Sequence, residues 1–400
     1  MNQTTNERHA GAPAAPAGEG RPDWRNLSAA IAAITVFGFA LGLMFPLLSL
    51  LLERRGYADD VIGLNAAMSP VGILLFSPMI PFVSRRFGHK RAALGAAGIT
   101  ALLILSYKIF WSLEAWFVLR LLQGMAVSTL FVLSEAWVVK FSEGPNRGKI
   151  VALYASVLSV SFGCGPLIIS IIGVEGWAPF VTGAVVLILA MIPIALVRDT
   201  IDDDAEPEPA HSFRTFAPKA PVLLFAILSF AVFDAATLSL LPVYGVRVGL
   251  ELPVASMALT ALVVGNAVLQ MPIGWLADRF RKRLVMLWLA LVCAGLLLLL
   301  PLVMGTFLMW PLLPVIGAAG AGIYTVGLAE LGERFQGEEL VAGTAAFSTV
   351  WGLGALVGSA IGGIAMYVFG PHGLPVVLAA FFSVFIVMMI GRERQRLRAL

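Results

Sequence analysis

The chain alternates apolar runs of about 20 residues with short polar or Gly- and Pro-containing breaks. Such a run matches the length a helix needs to cross a bilayer, and a helix hides its own backbone polar groups from lipid. Twelve spans are predicted, at 27–52, 60–83, 91–111, 114–140, 149–172, 175–197, 220–246, 252–275, 284–305, 308–331, 340–366 and 373–390. The pattern predicts an all-α integral membrane protein with twelve transmembrane helices.

Polar stretches divide the spans. Residues 1–26 are polar and rich in Ala, Pro and Gly, which predicts a disordered cytoplasmic tail. The longest internal polar segment follows the sixth span. It is acidic and Pro-rich, and it predicts a flexible cytoplasmic linker over 198–219. That leaves six spans in 27–197, six in 220–391, and a basic tail at 392–400. The halves echo one another. "SRRFGHKR" (84–91) recurs as "ADRFRKR" (277–283), and Glu135 of span 4 has Glu330 of span 10 as its counterpart. Two six-helix repeats in the same orientation, related by an axis along the membrane normal, describe one transporter architecture.

Composition agrees. The chain is 59% hydrophobic and 13% charged, against about 25% charged in soluble domains. The net charge of +3 gives no reason to expect a nucleic-acid partner. With the N-terminus placed in the cytoplasm, 22 of the 27 Lys and Arg residues fall on the inner side. Arg54, Arg55, Lys108 and Arg247 fall outside, and Arg120 lies within a span. The positive-inside rule therefore predicts that both termini are cytoplasmic.

Several function classes are unsupported. Cys164 and Cys293 lie in apolar segments, and the four histidines are scattered over tail and loops without ligand spacing, so no metal site is expected. No GxxxxGK[ST] loop occurs and no nucleophile–base pair stands out, so neither ATP drive nor an enzyme is expected, and no cofactor.

Charged and amide side chains inside the spans carry the candidate chemistry. Asp234 sits in "SFAVFDAATLSLL" (229–241), about 14 residues or roughly 21 Å from the start of span 7 and so near the midplane. A charged group at that depth costs roughly 2.5–3.5 kcal/mol on insertion scales, and acidic residues there mark proton or substrate paths. A carboxylate satisfied by a neighbouring helix is the plainer alternative. Glu135 and Glu330 are less deep, near the inner ends of spans 4 and 10, where pairing at the interface is an equal reading. Arg120, with Gln123 one turn further in, forms a polar face suited to an anionic group or to packing. Asn266 and Gln270, one turn apart in span 8, are expected to line a cavity, with Tyr154, Tyr324 and Trp351 as aromatic walls. Gly165 and Pro166 in span 5 are expected to allow a bend or close helix approach.

Four motifs resemble those of the major facilitator superfamily. "GWLADRFRKR" (274–283) is similar to its loop motif, "RLLQG" (120–124) to its span-4 pattern, and "GCGP" (163–166) in part to its span-5 signature. "SEAWVVKFSEGPNRGKIVALY" (134–154) with "PFVTG" (179–183) resembles YcaD-like bacterial permeases. The resemblance spans residues 27–391 and implies two pseudo-symmetric six-helix bundles, a bacterial inner-membrane location and a monomer. It further implies a cytoplasmic gate built on Gly274, Asp278 and Arg279. In the first half Arg85 stands where the family has its Asp, so Glu338 or Glu339 would be its partner. Asp278 would pair with Arg147 or Lys149. "LLPVYGVRVGL" (240–250) resembles a group containing riboflavin and copper uptake proteins. Its copper-type members use Met and His pairs in spans 7 and 8, where this chain has no His.

The expected function is secondary active transport of a small organic molecule through alternating access, coupled to protons by Asp234, with Glu135 as a second candidate group. Efflux and uptake both stay open. Riboflavin-type vitamin uptake is the alternative, and a non-transporting membrane sensor a distant one.

Overall fold

The computed structural model describes residues 24–141, 147–196, 216–336 and 338–398. The N-terminal tail to residue 23, the linker before Phe216 and residues 399–400 lie outside the described residues, as do the side chains of Arg147, Lys149 and Glu338. The gate pairings expected of those three side chains therefore lie outside them too.

Among the described residues, twelve helices are long and apolar enough to cross a membrane. Spans 1–6 are Leu27–Arg54, Asp59–Phe87, His89–Ile109, Leu113–Val138, Leu153–Ile172 and Ala178–Leu196. Spans 7–12 are Pro221–Arg247, Leu252–Arg279, Lys282–Val303, Met309–Arg334, Ala342–Phe369 and Gly373–Arg392. The expected spans are all present, displaced by a few residues at their ends. Span 2 is interrupted by a 3-10 turn at Ser77–Met79. Pro78 and Pro81 each lack the N–H that would continue the helical ladder there. Gly88, with φ of 81°, ends it in a backbone conformation that favours glycine.

Spans 1 and 7 are the innermost, with 89% and 78% of their most apolar windows buried, against 33% for span 6. Span 1 packs on spans 4, 5 and 6, and span 7 on spans 8, 10, 11 and 12. Contacts between the halves run span 2 against 11, span 5 against 8 and span 1 against 7. The repeat maps the first of these contacts onto the second and the third onto itself.

Glycines fix that symmetry in the backbone. A Cβ on Gly72 or Gly124 would lie 2.1 Å from the Leu121 or Ser69 carbonyl oxygen, which closes spans 2 and 4 together. Gly265 and Gly317 do the same for spans 8 and 10, with a Cβ 2.1 Å from Pro314 and 2.0 Å from Leu262. In span 5, Gly165 presses on the backbone of Gly42 in span 1; in span 11, Gly358 presses on Val232 in span 7. Gly72 and Gly265, Gly124 and Gly317, and Gly165 and Gly358 are each 193 residues apart. Small residues that admit such backbone approach drive helix association in lipid, where apolar burial supplies no preference.

One expectation narrows and another changes. Span 5 belongs to one helix, Arg147–Ile172, that continues through Pro166, and Gly165 serves close approach to span 1. The last residues of the linker are packed: Phe216 is buried and meets the Phe335 ring at 5.0 Å.

Candidate functional site

Between Ser229 and Gly245 of span 7, every residue is buried except Asp234, which is half-buried. A helix enclosed on all sides therefore opens at one carboxylate. The Asp234 carboxylate has no hydrogen-bond or ion-pair partner among the described residues, so no neighbouring helix satisfies it. The cost of an unpaired carboxylate in the bundle is relieved only by water or a proton.

The face around Asp234 is aromatic. Phe230, one turn earlier, stacks on Tyr324 of span 10 with ring centroids 5.2 Å apart, and Tyr324 meets Phe347 of span 11 at 6.5 Å. Trp351, one turn beyond Phe347, is half-buried. Glu135 of span 4 is exposed and lies near both Tyr154 of its own bundle and Tyr324 of the other. Tyr154 is itself fixed by Ser134, whose Oγ lies 2.8 Å from its hydroxyl. Glu135 thus faces the space between the bundles.

A polar ladder continues the lining. The Gln270 amide donates to Asn266 Oδ1 at 2.6 Å, and the Thr325 hydroxyl donates to Gln270 Oε1 at 2.9 Å. Thr325, Phe230 and Phe347 were not singled out from the sequence. Phe230 and Phe347 each stand four residues from a singled-out residue, Asp234 and Trp351, and that helical spacing was the available signal.

The lining belongs to a cleft that is closed at one end. In span 5, Ser161, Gly163, Gly165 and Pro166 are buried, whereas Leu153, Ala155, Ser156 and Val160, nearer the chain-terminal side, are exposed. Span 11 is buried at Gly358, Ser359, Gly362 and Gly363 and exposed at Thr344, Ala345, Ser348 and Thr349. At the closed end a Cβ on Gly63 would come 2.4 Å from the Ser359 carbonyl oxygen, and one on Gly363 would come 2.4 Å from that of Asp59. Arg247 of span 7 bridges the bundles there, 3.7 Å from Glu53 and 3.3 Å from Asp59. The cleft opens toward the side on which span 1 begins and span 12 ends.

Other candidates lie elsewhere. Arg120 is 1% exposed inside the first bundle. Its Nη2 donates to the Phe45 carbonyl at 3.3 Å and its Nε lacks a hydrogen-bond partner. Gln123 is buried beside it and accepts from the Tyr107 hydroxyl at 2.8 Å. Neither reaches the cleft. Glu330 accepts from Arg283 at 3.0 Å at the end of span 10. The glycine register explains why it is not a second Glu135: with Gly124 matched to Gly317, the equivalent of Glu135 is Leu328. Two residues along a helix turn a side chain by roughly 200°. Arg85 is exposed at the end of span 2 and donates to the Pro81 carbonyl at 3.3 Å. Gly274 has open space beside it, Asp278 is exposed, and Arg279 lies 5.6 Å from the Trp275 ring. Among the described residues, no group of three His, Cys, Asp or Glu could hold a metal ion.

Comparison with known proteins gives a consistent picture. The family model described as Major Facilitator Superfamily matches residues 30–263 and 248–399. The chain is 23% identical over 370 residues to YfkF of Bacillus subtilis (strain 168), an uncharacterised MFS-type transporter, covering 90% of this chain and 94% of that one. It is 24% identical over 373 residues to YcaD of Escherichia coli O7:K1 (strain IAI39 / ExPEC), also an uncharacterised MFS-type transporter, again covering 90% and 94%. The fold is similar to the crystal structure of the nucleoside transporter NupG, with a TM-score of 0.75 at 13% identity over 92% of this chain and 98% of that one. A mutant form of NupG gives 0.78 at 14%, over 91% and 99%.

Proposed function

The chain belongs to the major facilitator superfamily, and from that premise we propose that it is a proton-coupled secondary transporter in which Asp234 and Glu135 carry the protons. Its place is the bacterial inner membrane with both termini cytoplasmic, so the cleft opens to the cytoplasm. The observation that carries this reading is the half-exposed, unpartnered Asp234 on an otherwise enclosed span. A carboxylate that is ionised when the cleft is wet and neutral when it closes ties reorientation of the bundles to its proton, because moving an ionised group through apolar surroundings is costly.

The lining suits a planar heteroaromatic molecule with hydroxyl or amide groups. Tyr324, backed by Phe230, and Trp351 offer ring faces, and the Asn266–Gln270–Thr325 ladder offers paired donors and acceptors. Nucleosides, which NupG's name gives as its own cargo, and flavins both fit that description.

A thermal-shift screen tests the reading, since a ligand of the native state raises apparent stability. Nucleosides, flavins, organic cations, sugars and amino acids are compared at two pH values with the parent and Asp234→Asn. A nucleoside or flavin whose shift depends on pH in the parent and not in the variant is expected. Pure sugar or amino-acid hits would contradict the substrate class. A pH response unchanged in the variant would contradict the role of Asp234.

A further inference from the structure

Phe216, shortly before span 7, is packed between the ends of spans 10 and 11 on the chain-terminal side. It is 2% exposed, and its ring meets that of Phe335, just past span 10, at 5.0 Å. Gly343 of span 11 closes the other side of the ring. A Cβ on Gly343 would lie 2.9 Å from Phe216 Cζ and 2.6 Å from Leu331 Cδ1, so the ring takes the space of a side chain that span 11 lacks. Two polar links close the same junction. Arg334, the last residue of span 10, donates to the Lys219 carbonyl at 3.2 Å. The Lys219 ammonium pairs with Glu339, at the head of the span-11 helix. A 3-10 turn, Ala217–Lys219, joins the ring to these links.

This junction lies on the far side of span 11 from the cleft. Ser348 and Thr349, exposed in the cleft, stand five and six residues beyond Gly343, roughly 140° and 240° round the helix. The links to Gly343 and Glu339 therefore hold the head of span 11 back in its own bundle, away from the first. The closed end shows the opposite arrangement. There span 11 lies backbone to backbone against span 2, at Gly363 and Gly63. A similar approach at the open end requires the head of span 11 to swing toward the first bundle, off Phe216 and Lys219.

We infer that the Phe216–Lys219 segment is a clasp that holds the cleft open toward the chain termini, and that closure of that end unseats Phe216 from Gly343. The clasp rests on the alternating access proposed above, but the two can fail separately. Any closure of the open end supports alternating access, and only its dependence on the seated ring tests the clasp.

Distances between spin labels at Ala155→Cys and Ala345→Cys, one exposed site in each bundle at the open end, test it. Cys164 and Cys293 are first replaced, and each variant is shown to elute as the parent does. Phe216→Ala removes the ring, and Gly343→Val fills its seat. Each should raise the short-distance population roughly tenfold, the scale of one buried aromatic side chain partly lost. Phe216→Leu, which keeps an apolar anchor, should stay near the parent. Lys219→Gln with Glu339→Gln removes an ion pair whose side chains are 48% and 52% exposed, and should raise the same population about threefold. Distances in Phe216→Ala and Gly343→Val that match the parent's, or that lengthen, would overturn the assignment. If those two variants do not fold, the Lys219→Gln/Glu339→Gln protein decides it: more of the short distance upholds the clasp, and no change overturns it.

Discussion

Arg247 Nη2 stands 3.3 Å from Asp59 Oδ1, and this ion pair ties the end of span 7 to the start of span 2 across the closed end of the cleft. Glu53, 3.7 Å from the same guanidinium, makes it a three-member cluster. Its two acids are shielded, 14% and 12% exposed, so salt screens this pair less than one in open solvent.

Arg247→Gln should therefore loosen the closed end. Partly exposed pairs are worth about 1 kcal/mol, so the population open on that side should rise roughly fivefold. Distances between spin labels on spans 1 and 7 at that end measure it. The swap of Arg247→Asp with Asp59→Arg should restore much of the closure.

The glycine contacts at the same end make a sharper test. A side chain at Gly363 would meet the Asp59 carbonyl oxygen at 2.4 Å, and backbone cannot give way as a flexible side chain does. Gly363→Val should disfavour the closed end by about 1–3 kcal/mol, in the range of other overpacked contacts. The protein should then rest with that end parted. Gly95, which has no atom within 4 Å of an added Cβ, is the control: Gly95→Ala should keep the parent's label distances.

In the cleft, Gln270→Ala removes both links of the Asn266–Gln270–Thr325 ladder. At about 1 kcal/mol for a net hydrogen bond, affinity for a ligand found in the screen should fall roughly fivefold while thermal stability without ligand changes little. Isothermal titration measures the first and differential scanning fluorimetry the second.

The two carboxylates should separate binding from coupling. With Asp234→Asn or Glu135→Gln reconstituted in liposomes, ligand exchange across a membrane without a gradient should persist. Accumulation driven by an imposed pH gradient should fall to the equilibrium level for at least one of them. Accumulation by both variants equal to the parent's would contradict the proton-coupling role.

Much of this was legible in the chain, for physical reasons. Lipid demands about 20 apolar residues per crossing, so the twelve spans announced themselves. Asp234 stood out because a carboxylate among Phe, Ala and Val has no cheap explanation. The Arg247 cluster did not, because an arginine beside a loop reads as solvated and its partners lie in the other half of the chain. The match of Glu135 with Glu330 misled for a different reason. Like residues two positions out of register look equivalent in a string and face opposite ways on a helix. Arg120 and Gln123 were correctly seen as a polar face, but that face turns into the first bundle, where Phe45 and Tyr107 take it up.

The central claim, that Asp234 meets water in a cleft open toward the chain termini, has a direct measurement. With Cys164 and Cys293 replaced, Asp234→Cys, Ala231→Cys and Ala236→Cys are each treated with a charged, membrane-impermeant thiol reagent in right-side-out and inside-out vesicles. Ala231 and Ala236 are fully buried on the same helix. The account predicts that Asp234→Cys is modified fast in inside-out vesicles and slowly in right-side-out ones, with the two neighbours inert from both sides. Modification of Asp234→Cys no faster than of Ala236→Cys would contradict it.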